Sequence, residues 1–205
     1  MKKISFRGFG ASVTVAFYTA AMTPALAMDP VCNQLMAATK VLRTMPVHIY
    51  MTKTQSFTNP NMAKAAGTIG MGGTKQSEEI STGNNVYVMT GGRWIDMQIS
   101  FAAMQQDKDT DPDTKKALEE NQCKVLPDET MYGQPAKVYL QSNPGLGIET
   151  KLWISKTTNL PVRTDMTNDQ GAMKMLTVSR YEYSGVQAPA HATTMKDMAN
   201  SKNGG

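Results

Sequence analysis

The sequence predicts an α+β fold, mainly antiparallel β: a curved half-barrel sheet with one or two helices on its concave side. Three observations predict it. After Pro46 most of the chain alternates apolar and polar residues with a period of two, the pattern of strands with one greasy and one wet face. The strand-like runs are joined by short turns such as Gly83-Asn84-Asn85, Gly91-Gly92, Asn143-Pro144-Gly145 and Thr157-Thr158-Asn159, and short turns connect antiparallel neighbours. Only two stretches have helical spacing. They are too few to sandwich a sheet, so the sheet must curl and the helices must cover its hollow side. A cavity between sheet and helices is expected.

Ahead of this pattern stands a leader. Lys2, Lys3 and Arg7 precede an uncharged, mostly apolar stretch from Phe9 to Met22, and Pro24-Ala25-Leu26-Ala27 sets small residues in an A-x-A pattern. Residues 1–27 read as a secretory signal peptide cleaved after Ala27. The apolar run is shorter than the ~20 residues a spanning helix needs. No lipobox surrounds Cys32, so a soluble exported product is expected, neither lipid-anchored nor membrane-spanning. Its domain covers 28–185, and a flexible tail follows over 186–205, where two prolines, Ser, Asn, Lys and Gly accumulate. Three of the 21 Lys and Arg and none of the 17 Asp and Glu lie in the leader, so the remainder is nearly neutral. No basic stripe is present to track phosphates, and nucleic acid is not an expected partner.

Asp29-Pro30 opens the exported part as a helix start, with Asp as N-cap and Pro in the first turn. Leu35, Met36, Thr39 and Leu42 recur at helical spacing, which predicts a helix over 30–43. Cys32 lies in its first turn. Cys32 and Cys123 are the only cysteines. In an oxidising compartment an even pair reads as one disulfide, and the wide separation is no C-x-x-C redox motif.

Val47, Ile49 and Met51 alternate with His48, Tyr50 and Thr52 as a half-buried strand. Residues 58–73 read as a glycine-rich insert, and a strand follows over 74–81. Val86–Met89 forms the next strand and Arg93–Ile99 another, with Ile95, Met97 and Ile99 on one side and Trp94, Asp96 and Gln98 on the other. The acidic stretch 107–113 interrupts the sheet, and 114–122 has i,i+4 Lys–Glu pairs suited to a short surface helix. Strands then run to residue 183. Ala136, Val138 and Leu140 alternate with Lys137, Tyr139 and Gln141; Leu152 and Ile154 with Lys151 and Trp153; Val162, Thr164 and Met166 with Arg163 and Asp165.

Enzyme motifs are missing from the sequence. There is no G-x-S-x-G elbow and no H-E-x-x-H, and the histidines are His48, on the wet side of its strand, and His191, in the tail. In Gly67–Lys75, Gly72 is followed by Gly73 rather than by the Lys and hydroxyl residue of a phosphate loop. The 17 methionines do not cluster: only Met173/Met175 and Met195/Met198 lie close, with no histidine run beside them, so no metal site is expected. No cofactor is implied. Flexible thioethers suit a surface that accepts ligands of varied shape.

The segment Lys151-Leu-Trp-Ile-Ser-Lys-Thr-Thr-Asn-Leu-Pro-Val-Arg163 resembles a recurring hairpin of the periplasmic lipoprotein-carrier superfamily, the LolA/LolB-like proteins, in which a W-I-D/S-K strand end meets a turn and then L-P-V/I. Val86-Tyr87-Val88 followed by Gly91-Gly92-Arg93-Trp94 looks like the family hairpin that sets a tryptophan after a glycine turn. The order of elements is similar over 30–185, with only 151–163 specific in sequence. The glycine-rich insert at 67–73 and the acids at 107–113 fall outside the pattern. The resemblance implies a soluble periplasmic binding protein of the cell envelope that accommodates a lipid, acyl chain or lipidated segment. With the alternation, it nominates as lining Val47, Ile49, Met51, Ile95, Met97 and Ile99 from the first half, and Val138, Leu140, Leu152, Ile154, Val162 and Met166 from the second. The alternative on the same scaffold is a non-catalytic structural or regulatory envelope protein that binds a protein partner through exposed Trp94 and Trp153.

Overall fold

The computed structural model describes residues 29–68, 72–104 and 120–197. The expected leader, its cleavage point and the acidic stretch lie outside them, as does the expected helix over 114–122 except for its end, where Gln122 already begins a strand.

Helix α1 spans Pro30–Lys40 and tightens into a 3-10 turn over Val41–Arg43. Asp29 caps it as expected, its carboxylate accepting the Val31 amide at 2.7 Å. Ten strands follow: β1 Val47–Phe57, β2 Gly73–Ser81, β3 Val86–Thr90, β4 Arg93–Asp96, β5 Gln122–Met131, β6 Gln134–Asn143, β7 Ile148–Ser155, β8 Pro161–Asp169, β9 Met173–Glu182 and β10 Thr193–Thr194. They form a single open sheet in the order β10-β4-β3-β2-β1-β9-β8-β7-β6-β5. Every pairing is antiparallel except β10 on β4. The expected fold class is thus observed. The long crossover from β4 to β5 splits the sheet into two meanders, joined where β1 pairs with β9.

Two local readings change. Pro60–Thr68 is a second helix, α2, rather than loop. Asn59 accepts the Asn61 amide through its side chain and the Ala63 amide through its carbonyl, and Pro60 then enters the first turn. Met62, Ala63, Lys64, Ala65 and Ala66 are strong helix formers, so the breakers begin only at Gly67. The tail is not wholly loose either, because Thr193 and Thr194 pair with Ile95 and Asp96 along the β4 edge.

The turn before β7 needs its glycine. Gly147 has φ +64°, and a Cβ there would stand 2.2 Å from the Asp169 carbonyl oxygen. The two segments are laced at that point by the Asp169 amide donating to the Gly147 carbonyl at 2.8 Å. At the far edge, β5 carries Pro127 inside a register shift between Leu126 and Glu129. A proline at a bulge blunts an exposed edge that would otherwise template pairing.

The core lies on both sides of the sheet. On one side Leu35 of α1 packs with Tyr139, Leu152 and Ile154, flanked by Val31, Ala38 and Cys123. On the other, Ala136, Val138, Trp153 and Val162 pack together beside Leu126 and Met131. The Cys32–Cys123 disulfide forms, with Cα atoms 5.2 Å apart, and ties α1 to β5.

Candidate functional site

Residues directly opposite each other in an antiparallel pair point to the same face, so the register sorts the expected lining. On the face that carries α1, one row crosses five strands: Tyr181, Ile49, Glu79, Val88 and Ile95. A second runs Tyr139, Leu152, Thr164, Ser179, Met51 and Ser77. Val47 joins this face opposite Ser81, and Met166 opposite Thr150 and Thr177. Ile154 packs here against Leu35. Past the end of β4, the Met97 amide donates to the Val86 carbonyl, and Ile99 accepts from the Val86 amide.

Three expected lining residues belong elsewhere. Val138 pairs with Trp153 and Leu140 with Lys151, both on the opposite face. Val162, at the register shift between β7 and β8, packs in the Trp153 cluster. The physical reason is that β6 is covered on both sides: Tyr139 beneath α1, Ala136 and Val138 beside Trp153. Alternation shows that two faces exist but not which one a ligand would see. Leu140 instead borders a small cleft of about 180 Å³ with Gln122, Lys124 and Ser142.

Trp153 is not an exposed anchor. It is 4 % exposed, and its indole Nε1 donates to Glu129 Oε2 at 2.8 Å. Lys151 and Arg163 stack over its ring, 4.6 and 5.3 Å from the centroid. Arg163 is held by a bidentate pair to Asp165 at 2.6 and 2.8 Å. Hydrogen bonds from Lys151 and Trp153 hold the Glu129 carboxyl below its usual range. Trp94 is half-buried on the same face and meets His48 edge-on at 6.1 Å. His48 stacks on Tyr50 and approaches Glu78 at 3.0 Å.

The α1 face mixes apolar and polar side chains: its rows hold Ser77, Thr150, Thr164, Thr177 and Ser179, and the Met166 row continues to Lys53 and Lys75. The Tyr181 hydroxyl bonds Thr164 Oγ1 at 3.0 Å, and burial raises its pKa. Glu79, between Ile49 and Val88, is the charged group of the row, and burial raises its pKa as well. Sequence reading passed over Glu79 because β2 shows no alternation: Glu78 and Glu79 are neighbours, and only the register puts one on each face.

A stability consequence follows from Glu79. Its folded pKa lies above the unfolded value, so the folded state binds the proton more tightly and stability falls as pH rises through the folded pKa. Glu79→Gln removes that loss. In melting scans the variant is expected to gain on the wild type between pH 4 and pH 7. Parallel melting curves across that range would contradict the half-buried, desolvated carboxyl.

Elsewhere, a cleft of about 490 Å³ lies where α2 crosses the ends of β1 and β2, lined by Gln55, Phe57, Ala63 and Gly67 among others. Among the described residues, no group of three or more His, Cys, Asp or Glu could hold a metal ion, and no helix is long and apolar enough to cross a membrane.

No family model matches the chain, and no curated protein does. Among solved structures it is similar to MucB in complex with MucA(peri), at 13% identity and TM-score 0.45, over 80% of this chain and 62% of that one. It is also similar to LprF from Mycobacterium bovis, at 13% identity and TM-score 0.40, over 80% and 97%. A third is a putative outer membrane lipoprotein-sorting protein domain from Vibrio parahaemolyticus, at 9% identity and TM-score 0.26, over 76% and 93%. The chain therefore spans about 62% of the length of the MucB chain it matches.

Proposed function

We propose that this chain is an exported, non-catalytic periplasmic binding protein, LolA/LolB-like as the 151–163 hairpin suggests, that holds an acyl chain, a lipid or a lipidated segment against the α1 face of its open sheet. The observation that supports this best is the extent of that face. Val47, Ile49, Met51, Ile95, Leu152, Ile154 and Met166 share it from four strands, β4, β1, β8 and β7, whereas α1 packs on the β5–β7 end. Val47, Ile49, Ile95, Leu152 and Ile154 are buried, so a chain would lie over the half-buried Met51 and Met166, where its burial would contribute about 0.8 kcal/mol per methylene. Cleavage after Ala27 and a domain over 28–185 belong to the same reading.

The test is lipid mass spectrometry of protein purified from the envelope, with titration of a fluorescent fatty acid. A chain-bearing species should co-purify. Met51→Lys should weaken the probe at least tenfold, while Leu176→Lys, at an exposed position, leaves it unchanged. A ligand-free protein that ignores the probe would overturn the reading.

The second reading, a protein partner engaged through the opposite face, now leans on Trp94 alone, since Trp153 is buried in its own cluster.

A further inference from the structure

An acid has little reason to sit in an apolar row unless something meets it. Glu79 lies directly across from Ile49 on one side and Val88 on the other, with Tyr181 and Ile95 completing the row. Its neighbour Glu78, on the opposite face, has His48 at 3.0 Å. Glu79 has no hydrogen-bond or ion-pair partner among the described residues, and desolvation is the one influence that shifts it. The Tyr181 hydroxyl at the end of the row is engaged with Thr164, and the Glu79 charge helps to raise its pKa.

Glu79 is half-buried, and a partly desolvated carboxylate can recover the lost hydration from a charge-assisted donor, the strongest kind of hydrogen bond available to it. It repels a second carboxylate, and a hydroxyl offers it one neutral bond. We propose that Glu79 anchors the head group of the ligand, so that the site selects an amphiphile carrying a primary ammonium group on its apolar chain over one ending in a carboxylate. This rests on the α1 face being the binding face. The row sets the geometry: the ammonium at Glu79, the chain over the half-buried Met51 and Met166 on one side or Val88 on the other.

The experiment is competition against N-phenyl-1-naphthylamine by three probes of equal chain length, dodecylamine, dodecanol and dodecanoate, at pH 7.5. Dodecylamine is expected to compete at least tenfold more tightly than dodecanol, and dodecanoate more weakly than either. In Glu79→Gln the amine advantage should shrink to within twofold while dodecanol is unchanged, and Glu79→Asp should keep its sign. Glu182→Gln, on the opposite face, controls for general charge attraction and should leave the advantage intact. An amine no better than dodecanol, or an advantage that survives in Glu79→Gln, overturns the head-group assignment while leaving the binding face standing. Failure of the fluorescent probe and of all three competitors overturns the binding face itself, and the assignment with it.

Discussion

Breaking the Cys32–Cys123 disulfide is expected to lower stability by about 4 kcal/mol. The bridge closes a loop with a sequence separation of 91, and constraining the unfolded chain over such a loop accounts for roughly that amount. The loss should be local as well as global. Helix α1 has 11 residues, and a helix of that length is marginal in water by itself. It is held by the disulfide and by Leu35 in the pocket of Tyr139, Leu152 and Ile154. Urea unfolding of Cys32→Ser/Cys123→Ser should show an earlier midpoint, and hydrogen exchange should speed up in α1 more than in β7 and β8. An unchanged midpoint, or exchange that accelerates evenly across the sheet, would mean that α1 docks without its tether.

Trp153→Ala should cost about 3–5 kcal/mol, the usual range for removing a large aromatic from a core. The ring is 4 % exposed and packs with Ala136, Val138 and Val162. Trp153→Phe keeps most of that packing but loses the indole donor to Glu129, so its cost should fall in between. The two substitutions separate packing from hydrogen bonding by a second reading, the Glu129 carboxyl followed by NMR. Its lowered pKa means that its contribution is present above the normal carboxylate range and is lost as pH falls through the folded pKa. In Trp153→Phe that titration should move upward, leaving the Lys151 contact to hold it. A small, purely surface-like cost for Trp153→Ala would contradict the buried cluster and revive this residue as a contact point for a partner.

Much of the architecture is legible in the sequence. The Asp29-Pro30 cap, the period of two in β1 and in β6 to β8, and the turns at Gly91-Gly92 and Asn159 are short-range signals, each with its physical cause within a few residues. The α2 helix was missed although its Asn59-Pro60 start is equally local, because the glycines that follow Ala66 drew the reading toward loop.

What the sequence alone determined about this protein is α1 and the main strands, their antiparallel character, the cysteine pair and the two-faced nature of those strands. All of these follow from backbone propensity and side-chain period, which neighbouring residues decide among themselves. Only the tertiary structure decided which face is which: that Val138 and Leu140 turn away from Leu152, that Trp153 is buried, and that Glu79 stands in an apolar row. Alternation is symmetric under exchange of the two faces. Cross-strand register and the docking of α1 break that symmetry, and both are contacts between residues far apart in the chain.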